Sequence, residues 1–163
     1  MMVITFTADE IFEIAEEIER NAEEFYREAA ERCSNEDTKK LLLDMSAKEN
    51  EHLKTLQNMR EKLAAEEGMS IFDPLGRSAM YLQAIADARA WEGRISPMQD
   101  LSGNETVKEI IEIALESEKE MVVFYVGLKE LVYFKAGKEK VENIIIEELG
   151  HIIALLTRLK SLG

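Results

Sequence analysis

Glu19, Tyr26, Glu49 and His52 recur 99 residues later, in the same order and with the same gaps, as Glu118, Tyr125, Glu148 and His151. Carboxylates and imidazoles are the ligands that divalent transition metals take from proteins, and a phenol is the hydrogen-bond donor that can hold a carboxylate in place. On a helix, a Glu and a His three residues apart lie close enough around the axis for both to reach one metal. Two such Glu-x-x-His pairs, Glu49 with His52 and Glu148 with His151, therefore point to two metals. A Glu from each facing helix can bridge them. Charge supports the same reading. Four carboxylates in one core cost several kcal/mol each, or take up protons, unless something neutralises them. Two divalent cations would balance four carboxylates, with two neutral imidazoles completing the set. Oxygen ligands mixed with imidazole suit iron, manganese, zinc or cobalt better than calcium or copper(I), and a symmetric set of four glutamates and two histidines most favours iron.

Such a site needs helices that face one another. The apolar period is helical along the whole chain, and the only prolines, Pro74 and Pro97, fall in the middle. The pattern predicts helix A over about 7–33, B over about 35–67, C over about 106–136 and D over about 138–162, with a crossover at 68–104. Thr7 with Glu10 forms a capping box for helix A, and Phe6 with Ile11 a hydrophobic staple. Thr106 with Glu109 repeats that box 99 residues later for helix C, and Gly137 is the expected stop. A hairpin turn takes only a few residues, whereas a helix of about 26 residues is about 39 Å long. A connection of the length of 68–104 therefore makes helices B and C parallel and relates the two hairpins by a pseudo-twofold axis. Within the crossover, residues 78–91 read as a short helix with Tyr81, Ile85 and Ala88 turned inward.

The ligands fall inside apolar seams. Helix A presents Phe12, Ala15, Glu19, Ala22, Tyr26 and Ala29, and helix B presents Leu42, Met45, Glu49, His52, Leu56, Met59 and Leu63. Helix C gives Ile111, Ala114, Glu118, Met121, Tyr125 and Leu128; helix D gives Val141, Ile144, Glu148, His151 and Leu155. Each seam is apolar except at the proposed ligands and tyrosines. Tyr26 and Tyr125, seven residues from a ligand on the same face, are expected to hydrogen-bond a bridging carboxylate across the bundle. Cys33 and the seam methionines read as packing, Gly150 as a point of close packing, and Glu16, Glu23, Arg27, Lys54 and Lys119 as a solvated face.

Composition narrows the partners. The 163 residues suit one domain, 1–163, and a net charge of −13 repels phosphate backbones and anionic headgroups, so neither nucleic acid nor a membrane surface is expected. The opening Met1-Met2-Val3-Ile4-Thr5-Phe6 has no basic region, and no apolar run approaches about 18 residues. A soluble, cytoplasmic protein is expected. A lone cysteine, Cys33, excludes an intrachain disulfide and a four-cysteine iron site within this chain.

Glu19, the Phe25-Tyr26 pair, Glu49-x-x-His52, then Glu118, Phe124-Tyr125 and Glu148-x-x-His151 together resemble the rubrerythrin-type branch of the ferritin-like di-iron carboxylate proteins, over both hairpins and excluding the crossover. The resemblance implies an all-α, ferritin-like four-helix bundle holding two iron ions. It carries Glu49 and Glu148 over as the bridging pair, Glu19 and Glu118 as terminal carboxylates, and His52 and His151 as terminal imidazoles. It also implies reduction of hydrogen peroxide, or oxidation of ferrous iron with oxygen, by a homodimer. The sequence departs from the pattern twice. Rubrerythrins proper carry a rubredoxin-like iron domain, which Cys33 alone cannot build, so electrons are expected from an external donor such as a rubredoxin-like protein. They also carry a further Glu one turn after the helix C ligand, where this chain has Met121. The first expectation is therefore a di-iron peroxidase without its own electron-transfer domain. The alternatives are a ferroxidase, or a bundle whose metals, zinc for example, are purely structural.

Overall fold

Apolar residues every three or four positions commit the chain to helices, and four long ones form among the described residues. The computed structural model describes residues 8–65, 80, 101–132 and 135–163. In chain order the helices are α1 (Ala8–Glu31), α2 (Glu36–Ala65), α3 (Val107–Leu131) and α4 (Lys135–Ser161), and no strand occurs among the described residues. Local chemistry sets their starts. Asn35 Oδ1 accepts the Thr38 N–H at 3.0 Å, just ahead of α2. Before α3 the expected capping box forms, with Thr106 Oγ1 accepting the Glu109 N–H at 3.2 Å and Glu109 Oε2 accepting the Thr106 N–H at 2.7 Å. The matching box at Thr7, with Phe6, lies outside the described residues, as do Tyr81, Ile85 and Ala88 of the crossover.

Bonds between helices fix their directions. Ser46 Oγ donates to the Glu23 carbonyl (3.0 Å) while Arg60 Nε reaches Asp9 Oδ1 (2.7 Å), so α1 and α2 run antiparallel. Tyr26 meets Glu118 and Tyr125 meets Glu19, which makes α1 and α3 antiparallel too. Hence α2 and α3 are parallel, as the length of the connection between them requires. Near the end of α4, Arg158 Nε donates to Thr38 Oγ1 (2.6 Å) at the start of α2, and Lys129 of α3 pairs with Glu142 of α4. The result is an all-α four-helix bundle. α1 packs on α2 and α3 on α4, and the two hairpins meet through α1 with α3 and α2 with α4.

The core is the seams the sequence marks out, with Leu63 only partly buried at one end. A second tier includes Ile11, Ile18, Phe25, Ile110, Leu115, Phe124 and Ile145. Cys33, Met45, Met59 and Met121 are buried as expected. Two readings are corrected. Gly137 does not end the third helix: α3 stops at Leu131, Val132 turns extended (φ −72°, ψ 118°) with its N–H on Leu128 O, and Gly137 is buried early in α4. The break comes at Val132, whose branched Cβ holds a helix poorly. Glu16 is not on the solvated face. It is buried, because Arg60 Nη1 reaches it from α2 at 2.9 Å and compensates its charge. Among the described residues no helix is long and apolar enough to cross a membrane.

Candidate metal centre

Glu19 sits near the middle of α1, Glu49 and His52 of α2, Glu118 of α3, and Glu148 and His151 of α4. Because the helices alternate in direction in register, these midpoints meet, and all six side chains are buried. Their ligand atoms fall into two overlapping groups. Glu19, Glu49, His52 and Glu148 each bring one donor atom within 4.8 Å of the others, and so do Glu49, Glu118, Glu148 and His151. Glu49 and Glu148 belong to both groups, as two bridging carboxylates would. Each group has one histidine and one private glutamate.

The imidazoles enter nitrogen-first. His52 Nδ1 lies 3.1 Å from Glu49 Oε2, 3.0 Å from Glu148 Oε1 and 3.7 Å from Glu19 Oε1. His151 Nδ1 lies 3.0 Å from Glu148 Oε2, 3.1 Å from Glu49 Oε1 and 3.4 Å from Glu118 Oε1. One ring nitrogen carries at most one proton and cannot donate to three carboxylates at once. Consistent with that, Glu19 Oε2, Glu49 Oε1, Glu118 Oε2 and Glu148 Oε1 are buried and accept no hydrogen bond. Buried, unpartnered anionic oxygens facing a ring nitrogen are the arrangement a cation satisfies, so the donor set fits a metal.

Protons must do that work when no metal is present. Burial, followed by the charge of Glu49, raises the Glu19 carboxyl far above the usual carboxylate range; burial, followed by Glu148, does the same to Glu118. Burial also pushes Glu148 upward, but bonds from His151 and His52 outweigh it and hold this carboxyl low. Burial alone would lower both histidines. The surrounding carboxylates reverse that, raising His52 strongly and pushing His151 up to about 12.

The tyrosines reach across the bundle, but to different partners from those expected. Tyr26 donates to Glu118 Oε1 and Tyr125 to Glu19 Oε1, the private carboxylates rather than the shared ones. The antiparallel register of α1 and α3 explains this: two turns beyond Glu19, Tyr26 is level with Glu118. Burial first, then Glu118 or Glu19, raises both phenols, so they remain protonated donors.

One contact was not foreseen. His52 Nε2 lies 2.6 Å from Glu147 Oε2, on the ring edge that faces away from the cluster. The position 99 residues before Glu147 is Lys48, whose ammonium bonds Glu51 Oε2 at 2.8 Å and lies 3.8 Å from Glu147 Oε1. Among the described residues, His151 Nε2 meets no equivalent acceptor. The signal was a residue adjoining the motif whose twin in the repeat has the opposite charge.

The sequence model of the rubrerythrin family matches residues 10–158. The chain belongs to the rubrerythrin family. A Thermotoga maritima protein described as ferritin-like and diiron-carboxylate superposes with a TM-score of 0.71 at 20% identity, covering 99% of this chain and 100% of that one. A hypothetical protein from Pyrococcus furiosus gives a TM-score of 0.70 at 20% identity, covering 95% and 89%. These two share the ferritin-like bundle. No curated protein matches the chain. For a rubrerythrin-family member, a buried glutamate and histidine cluster between the hairpins is the expected seat of metal chemistry.

Proposed function

We infer that this rubrerythrin-family chain holds two iron ions and reduces hydrogen peroxide, with electrons supplied by a separate protein such as a rubredoxin-like donor. The observation that carries the reading is the sharing of Glu49 and Glu148 between two ligand groups, each with its own histidine. Glu19 and His52 would complete one metal's shell, and Glu118 and His151 the other's. A ferrous pair bound there would supply the two electrons that, with two protons, convert hydrogen peroxide to two waters. The chain's contribution is binding, orientation and dryness. Tyr26 and Tyr125 hold Glu118 and Glu19 by one oxygen each and leave the other oxygen for a metal. Ala22, Leu56, Met121 and Leu155, all fully buried, line the same seams and keep bulk water away from the carboxylates. Glu147 bonds the outer nitrogen of His52, which turns Nδ1 toward the cluster.

Oxidation of ferrous iron by oxygen is the second reading. Met121 favours it: its fully buried thioether stands where the peroxide-reducing relatives it resembles place a further carboxylate. The test is anaerobic loading with two ferrous ions per chain, then stopped-flow mixing with hydrogen peroxide or with oxygen while following near-ultraviolet absorbance. Oxidation much faster with peroxide is the expected result. Preference for oxygen would move the assignment to a ferroxidase, and a colourless protein without redox response to a structural metal site.

A further inference from the structure

The repeat supplies an internal control for the surface of α4. Ile146, Leu149, Ile153 and Leu156 are 57%, 45%, 66% and 42% exposed. Spaced three, four and three residues apart, they form one stripe along the helix, within about 40° of a common line. The bundle does not require it. The same positions on α2, 99 residues earlier, are Ala47, Asn50, Lys54 and Gln57. Two hairpins that keep the same buried ligands therefore differ on one outer face, which carries three polar residues and an alanine on α2 and four large aliphatic ones on α4.

The stripe continues in register to a charge at each end. Glu142 lies four residues before Ile146 and Lys160 four residues after Leu156. Read in either direction from residue 151, the order mirrors itself: Leu149 against Ile153, Ile146 against Leu156, and Glu142 against Lys160. A second α4 laid antiparallel on the first, with the twofold axis at that level, meets aliphatic with aliphatic in four layers and carboxylate with ammonium at both ends. A parallel pairing would instead set Glu142 against Glu142 and Lys160 against Lys160. The full stripe is about 27 Å long.

Gly150 adds to this. A glycine inside a helix costs about 1 kcal/mol relative to alanine, and the sequence suggested close packing as the reason. Among the described residues there is none: a Cβ built at Gly150 would meet nothing within 4 Å. Gly150 instead borders the stripe at mid-length, beside the axis, where it lets a second helix approach closely.

We propose that the outer face of α4 is a homodimer interface in which two copies pair antiparallel about residue 151, Glu142 of each copy facing Lys160 of the other. The partner is a second copy because the order of apolar and charged residues along the face complements itself. An isologous contact of this kind closes on itself.

Sedimentation velocity on the full chain, repeated over a wide concentration range, tests it. The expected species is a dimer of twice the 18.6 kDa chain mass. Ile153→Lys, at the most exposed position of the stripe, is expected to weaken association by about tenfold or more with helicity unchanged. Lys160→Glu sets two carboxylates together at each end and is expected to weaken it too. Adding Glu142→Lys to that variant exchanges the charges and is expected to restore the dimer, although Glu142 also pairs with Lys129 inside the chain. A wild-type chain that stays monomeric would overturn the proposal. So would a dimer indifferent to Ile153→Lys, or one that the double exchange fails to rescue.

Discussion

Glu147 Oε2 stands 2.6 Å from His52 Nε2, while Lys48 occupies the equivalent position in the other half and, among the described residues, leaves His151 without such a partner. An acceptor on the outer nitrogen of a ligating imidazole fixes its orientation and raises its basicity, commonly worth 10–100-fold in metal affinity. The two metal sites are therefore expected to differ. Glu147→Gln should weaken one of two binding steps by about tenfold or more and leave the other unchanged, as read by anaerobic titration with ferrous or cobaltous ion. Equal weakening of both steps would contradict this assignment.

Sharing has its own signature. Removing Glu49 or Glu148, which belong to both ligand groups, is expected to abolish binding of two metals per chain. Glu19→Ala should lose the metal bound by His52 alone, and Glu118→Ala the metal bound by His151. Metal analysis after gel filtration reports the stoichiometry, and a chain that still holds two ions without Glu49 would refute the set.

Metal uptake should release protons. Glu19, Glu118 and both histidines have raised pKa values, His151 up to about 12, so at neutral pH the metal-free cluster holds protons that ligation must displace. The sign follows: affinity rises with pH and falls as acid returns those protons. Calorimetry in two buffers of different ionisation enthalpy counts them, and a buffer-independent heat would contradict the expectation.

Tyr125→Phe takes the donor from a fully buried Glu19 oxygen, and Tyr26→Phe does so for Glu118. Each is expected to cost the metal-free protein about 1–3 kcal/mol in denaturant unfolding, to retain two metals, and to slow oxidation of the ferrous protein. An unchanged oxidation rate would leave the phenols a purely structural role.

The capping box at Thr106 is separable from the site. Thr106→Ala should cost about 1 kcal/mol of stability with metal stoichiometry intact. A loss of metal binding would show that α3 frays as far as Glu118.

Much of this was legible because the duplication repeats side-chain chemistry as well as helical period. Glu19, Glu49, Glu118 and Glu148 interrupt otherwise apolar seams, and only a buried, compensated site makes sense of that. Antiparallel hairpins with a parallel α2 and α3 followed from the length of the connection. The details that escaped depend on registers between helices, which one helix's periodicity does not encode. Tyr26 is level with Glu118 because α1 and α3 run antiparallel, and Glu16 is buried because Arg60 arrives from α2. Gly137 resembled a stop, but a glycine near a helix start and one past its end look alike in sequence.

The two halves are joined in one chain, and that link frees them from identity. Were the bundle two separate copies of one hairpin, Glu147 and Lys48 would have to be the same residue, and so would Ile153 and Lys54. Fusion lets the interior stay symmetric while one imidazole alone gains a carboxylate. It also lets one outer face turn aliphatic while its twin stays polar. A molecule with the aliphatic stripe on both α2 and α4 would offer two self-complementary faces and could add copies without end, as a filament. With one such face, growth stops at a pair.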